Sequence, residues 1–193
     1  MPLSTSRSPG VGESLRESAV FNFDGAVTMV IDDSEFAREL TTRALSGFGL
    51  KPRYSCQSAT EAMSILNDVP VDLILVDSAM PGMNGFDFVK WLRRSKLEPN
   101  AFAPVIMTAT HVRSSEVASA RDCGANFLIT KPFSSMTLLE RIVWVSRDNR
   151  PFLEVGDYLG PDRRFRTEPF DGPERRAEEL RKAKFSIDRE DME

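Results

Sequence analysis

The chain has 193 residues, 41% apolar and 28% charged, with a formal net charge of −4; that is room for one ordinary domain with extensions, and the charge excludes a protein built to coat nucleic acid or anionic lipid. Two cysteines without CxxC spacing and a single histidine exclude a zinc or disulfide framework. No apolar run reaches the roughly 18 residues of a membrane span, and the opening MPLSTSRSPGVGES lacks the apolar segment of a secretion signal, so a cytoplasmic protein without membrane insertion is expected.

Residues 1–24, rich in Ser, Gly and Pro, read as a disordered leader. From Ala26 the texture changes. AVTMVIDD is a β-branched apolar run ending in two acids, as in a strand buried on both faces. Ser34 offers an N-cap, and Phe36, Leu40, Ala44 and Leu45 follow at helical spacing up to Gly47 and Gly49. PRYSCQ predicts a second strand, ATEAMSILNDV a helix stopped by Pro70, and VDLILVD the strongest strand of the chain. After the loop SAMPGMNG come the helix FDFVKWLRRSK, the strand APVIMTAT, the helix SSEVASARDC closed by Gly124, the strand NFLIT and the helix SSMTLLERIVWVSRD. This alternation predicts a doubly wound α/β domain, a five-stranded parallel sheet with helices on both faces, over residues 25–148.

In such sheets chemistry gathers beyond the carboxyl ends of the strands. The candidates are therefore Asp32 and Asp33, Asp77, the cluster Thr108 to Thr110, and Lys131. Converging carboxylates repel one another by about 1 kcal/mol per pair at 4 Å in water, and by more in a lower dielectric. Oxygen-only ligands with open positions suit Mg²⁺, and a lysine adds a second cation. An aspartate so held is a nucleophile prepared for phosphoryl transfer.

VIDDS, LVDSAMPGMNG and ITKPF together resemble the receiver domain of bacterial two-component response regulators, the CheY-like, flavodoxin-like (βα)₅ fold, over about residues 26 to 148. The resemblance implies that Asp77 is the phosphoacceptor, charged by a histidine kinase or phosphotransfer protein. It implies Mg²⁺ bound by Asp33 and Asp77 directly, by the backbone carbonyl of Ala79, and by Asp32 through water. Lys131 would meet the phosphoryl group, Lys131–Pro132 would be cis, and Gly85 would serve the turn after the active loop. Receivers also carry a Ser or Thr at the end of the fourth strand. Counted back from Lys131 without a gap that position falls on Ala109, and a slip of one residue gives Thr108, which is taken here. The aromatic usual three residues before the lysine is replaced by Leu128.

The last helix carries Leu138, Leu139, Ile142, Val143, Trp144 and Val145, more than the single stripe that packing on a sheet needs, so core and docking face are both open. Residues 149–193 read as an arginine-containing extension, largely disordered, with a short helix over 173–187. Within it GPDRRFR and GPERR place Arg163, Arg164, Arg166, Arg175 and Arg176 near Tyr158, Phe165 and Phe170. Arginine forks match phosphate and the guanine edge. RPFLEVGDYLGPDRRFR also resembles the extension of CheY-like regulators that bind cyclic di-GMP and act at the flagellar motor. The expected function is a single-domain regulator, not an enzyme, acting by contact with a downstream protein. The alternatives for the extension are a cyclic di-GMP clamp, a solvated linker and a protein-docking tail. DNA binding is not expected, because from Arg150 onward acids outnumber bases.

Overall fold

The computed structural model describes residue 23 and residues 25–110 and 114–163. Nearly all of the expected leader and the expected helix at 173–187 lie outside them. The elements run β1 (Thr28–Ile31), α1 (Glu35–Gly47), β2 (Pro52–Cys56), α2 (Ala59–Leu66), β3 (Leu73–Asp77), α3 (Gly85–Arg94), a 3₁₀ turn (Asn100–Phe102), β4 (Val105–Ala109), α4 (Ser114–Cys123), β5 (Phe127–Thr130) and α5 (Ser135–Ser146). β1 to β5 form one parallel sheet in the order β2-β1-β3-β4-β5, the doubly wound arrangement predicted.

Alternation along the strands divides the core into two layers. Met29, Ile31, Ile74, Val76, Val105 and Met107 face α2, α3 and α4. Val30, Leu75, Ile106 and Ile129 face the other side, against Leu45 of α1 and Leu138, Ile142 and Val145 of α5. α1, α2, α3 and α5 each start where a short polar side chain accepts an otherwise orphaned amide: Ser34 from Ala37, Ser58 from Glu61, Asn84 from Asp87, Ser134 from Thr137. On α5, Leu138, Ile142, Val143 and Val145 are buried. Trp144 is used by its own chain, edge-on to Phe127 at 5.4 Å with the Arg150 guanidinium 5.1 Å over its ring.

Beyond α5 the structure departs from the expectation of extended or disordered chain. Residues 152–155 and 158–161 form an antiparallel hairpin, β6 (Phe152–Val155) and β7 (Tyr158–Pro161). Gly156, at φ 58°, and Asp157 make its two-residue turn. The glycines and prolines that look like breakers sit at the turn and at the strand ends. The hairpin packs on α3 and α4. Phe152 meets Phe102 edge-on at 5.2 Å and lies under the Arg93 guanidinium at 5.1 Å.

The base of the hairpin is tied by Asp148, 2.6 Å from Arg150 and also accepting from Asn126. Burial works to raise the Asp148 carboxyl, but the hydrogen bonds and charge of Arg150, with Asn126, outweigh it and hold it below the ordinary aspartate value. A depressed carboxyl adds stability that is present above its unfolded pKa and fades as the pH falls through the folded one. Asp148→Asn is therefore expected to be less stable than the parent at neutral pH, with the difference closing only below about pH 3.8, as read from urea unfolding across that range.

Candidate functional site

Parallel strands bring their carboxyl ends to one rim. Asp32 follows β1, Asp77 ends β3, Thr108 lies in β4 opposite Asp77 in register, and Lys131 follows β5. Asp32, Asp77 and Thr108 are buried, while Asp33 and Ala79 are exposed. The Lys131 ammonium bridges the two buried acids, 2.6 Å from Asp32 Oδ2 and 2.5 Å from Asp77 Oδ1. Burial alone would lower its pKa. The hydrogen bonds and charges of Asp32 and Asp77 outweigh that and raise it above the usual lysine value, so the amine is protonated throughout the neutral range.

Asp77 is fixed on both oxygens. Oδ2 accepts from the Ala79 amide at 2.8 Å, and the Thr108 hydroxyl lies 3.4 Å from Oδ1. Thr108 is thus the β4 hydroxyl brought to the acid, whereas Ala109 pairs with Thr130. The gap-free count from Lys131 points to Ala109, which has no hydroxyl to offer Asp77. The loop after β3 folds back through the Gly85 amide, which donates to the Ser78 carbonyl at 3.1 Å. A Cβ on Gly85 would stand 2.2 Å from the Asp77 carbonyl oxygen, so only glycine fits there. Lys131–Pro132 is cis.

Arg38 went unnoticed in the sequence. Its Nη1 donates to the Asp32 carbonyl at 2.6 Å and steadies the turn that presents Asp32 and Asp33. The available signal is a cation in the first turn of a helix, where the dipole disfavours one unless it has a specific partner.

Three carboxylates against one bridging ammonium leave an excess of negative charge at the rim, with Asp33 and the Ala79 backbone exposed beside it. Among the described residues no three His, Cys, Asp or Glu side chains enclose a metal. Mg²⁺ does not require that, since it binds through one or two carboxylates and keeps waters or phosphate oxygens. The donor set therefore fits such an ion.

Of the arginine candidates, Arg163 does not join this rim. Arg163 is exposed, its guanidinium 3.8 Å over the Tyr158 ring and 3.2 Å from Asp122 at the end of α4. Arg164, Arg166, Arg175 and Arg176 lie outside the described residues. No helix among the described residues is long and apolar enough to cross a membrane.

Comparison with known proteins agrees with this geometry. The phosphate regulon transcriptional regulatory protein PhoB of Pseudomonas aeruginosa is 30% identical over 143 residues, covering 70% of this chain and 60% of that protein. The chain spans about half the length of the Escherichia coli PhoB, at 32% identity. The chemotaxis protein CheY homolog of Campylobacter jejuni is 31% identical over 115 residues, covering 59% of this chain and 87% of that protein. Among solved structures, the chemotaxis protein CheY4 of Vibrio cholerae superposes with a TM-score of 0.58 at 28% identity, over 62% of this chain and 98% of that one. Receiver domains are signalling modules that generally bind Mg²⁺ and are phosphorylated on aspartate. The family model for the response regulator receiver domain matches residues 28–143, more than half of the sequence, and with the acid rim and its bridging lysine in place the chain belongs to that family.

Proposed function

We propose that this protein is a phosphorylation switch in which Asp77 accepts a phosphoryl group, with Mg²⁺, from a cytoplasmic histidine kinase or phosphotransfer protein. It signals by contact and has no substrate turnover of its own. The observation that supports this most directly is the Lys131 ammonium held between Asp32 and Asp77. It fixes a charged carboxylate at the rim and stands ready to pair with an incoming phosphoryl oxygen. An Asp77 oxygen attacks phosphorus, the bond from phosphorus to the donor's imidazole nitrogen breaks with its electron pair going to nitrogen, and an acyl phosphate results. When bound, Mg²⁺ neutralises charge on the phosphoryl oxygens; Asp32, Asp33, Asp77 and the Ala79 carbonyl would hold it. Thr108 sits beside the reacting carboxylate as the hydroxyl that responds to the new group. The acyl phosphate then shifts a two-state equilibrium toward the form that a downstream protein prefers. Relatives named as chemotaxis proteins make the flagellar motor the partner class we favour.

Acetyl phosphate with Mg²⁺ is expected to add a single phosphoryl group, seen as intact mass, and both chelation and Asp77→Asn are expected to abolish it. Undiminished labelling of Asp77→Asn would overturn the assignment. The cyclic di-GMP reading of the extension rests on five arginines, of which Arg163 stacks on Tyr158 and pairs with Asp122, while Arg164, Arg166, Arg175 and Arg176 lie outside the described residues.

A further inference from the structure

α4 is poorly equipped to hold itself on the sheet. Its sequence, SSEVASARDC, offers one large apolar side chain, Val117, and that one is 52% exposed. Among its described side chains, 117–123, the buried ones are the small Ala120 and Cys123. The neighbouring α3 instead buries Phe88, Val89 and Leu92. A helix with so few apolar anchors belongs to the low-stability end of a structure unless something else fastens it.

That fastening is at its carboxyl end. Gly124, at φ 93°, meets β7 backbone to backbone: a Cβ there would be 2.5 Å from the Leu159 carbonyl oxygen, and a Cβ on Gly160 would be 2.6 Å from the Gly124 Cα. The Gly124 carbonyl accepts from Arg93 Nε at 3.0 Å, and the same guanidinium lies over Phe152 of β6. Asp122 pairs with Arg163, whose guanidinium covers Tyr158, and the Tyr158 hydroxyl donates to the Pro161 carbonyl. The base of the hairpin is further secured by Arg150, through Asp148 and the Asp162 carbonyl.

We propose that the β6–β7 hairpin is a strap that holds α4 on the sheet, so that the order of α4 depends on residues 150–163. α4 follows β4, the strand that carries Thr108, so the strap is a handle on the helix next to the rim. A partner that takes hold of the chain at Arg163 and lifts the strap loosens α4 without touching Asp77. The inference concerns packing and stands apart from the phosphoacceptor reading.

The test is hydrogen–deuterium exchange of the full-length chain, following peptides from α4, the hairpin and α1 separately. Gly160→Val places a side chain where two backbones touch; the double variant Tyr158→Ala, Arg163→Ala removes anchors without adding bulk and serves if the first fails to fold. The expected result is a freed hairpin and α4 amides exchanging about tenfold faster or more, with α1 unchanged. A freed hairpin over an α4 that exchanges as before would overturn the proposal. So would equal acceleration of every helix, which would make the hairpin a general stabiliser. A hairpin that stays protected in both variants would overturn it too, since these contacts would then not be what holds it.

Discussion

Replacing Arg93 by methionine is expected to lower the urea midpoint sharply, at a cost of about 3 kcal/mol or more, because several buried acceptors lose their donor at once. Only 2% of Arg93 is exposed. Its Nε donates to the Gly124 carbonyl, Nη1 to the carbonyls of Ala101 and Ala103, and Nη2 to Asn126 Oδ1, at distances from 2.8 to 3.2 Å. Burial pulls its pKa down to about 10, which still leaves it charged at neutral pH. Its acceptors are backbone carbonyls and the Asn126 side-chain amide oxygen, with the Phe152 ring against its face. Methionine fills much of the volume but donates nothing. Lysine keeps the charge, yet one ammonium cannot reach the acceptors on both segments, Ala101 with Ala103 and Gly124 with Asn126, so it should rescue only in part. Domains of this size carry roughly 5–15 kcal/mol of stability, so the loss is a large share of the total. A midpoint shift worth less than about 1 kcal/mol, within the range of ordinary surface changes, would show that water replaces the guanidinium.

Gly85→Ala should remove phosphorylation while leaving every carboxylate in the sequence. The added methyl would stand 2.2 Å from the Asp77 carbonyl oxygen and 3.0 Å from both the Asp77 carbonyl carbon and the Ser78 Cα, all of them backbone. Backbone cannot swing aside as a side-chain tip can, so the loop after β3 must move, and Asp77 moves with it. Overpacking of this kind costs about 1–3 kcal/mol, and a reactive group displaced by an ångström loses about a hundredfold in rate. Initial rates of acetyl phosphate labelling, read beside a thermal melt, separate the two effects. Gly47, at the end of α1 with open space around its Cβ position, is the control glycine whose change to alanine should leave labelling intact. Labelling of Gly85→Ala at the parent rate would show that the loop has slack.

How much of this could be read beforehand depends on whether a residue's role is local. β3 announces itself because a parallel strand covered on both faces must be continuously apolar, and the acids stand out as the first polar residues after such runs. Helix starts are legible for the same reason: Ser34 and Ser58 cap the amides that follow them in sequence. The Thr108 position was harder. It depends on strand register, which pairs it with Asp77, and a count along the chain from Lys131 passes through a connection whose length is free to vary. The hairpin did leave a trace, Gly156-Asp157 between apolar pairs, but a two-stranded ribbon is marginal by itself. What holds it, Arg93, Gly124 and Asp148, is scattered over the preceding 60 or so residues, so no window of sequence contains the answer. Arg93 itself reads as an ordinary cation complementing the end of a helix. Nothing in its neighbours foretells burial.

The hairpin also decides from which side the chain departs. α5 ends at Ser146, yet Arg163 lies beside Asp122, at the end of a different helix. A module spliced directly after α5 would be aimed from one corner of the receiver; anything joined beyond Arg163 is aimed from another. Exchanging outputs between this receiver and one whose output begins directly after α5 would thus alter direction as well as distance. In grafts of that kind the turn at Gly156 and Asp157 serves as an address, and cutting it away would send an intact message elsewhere.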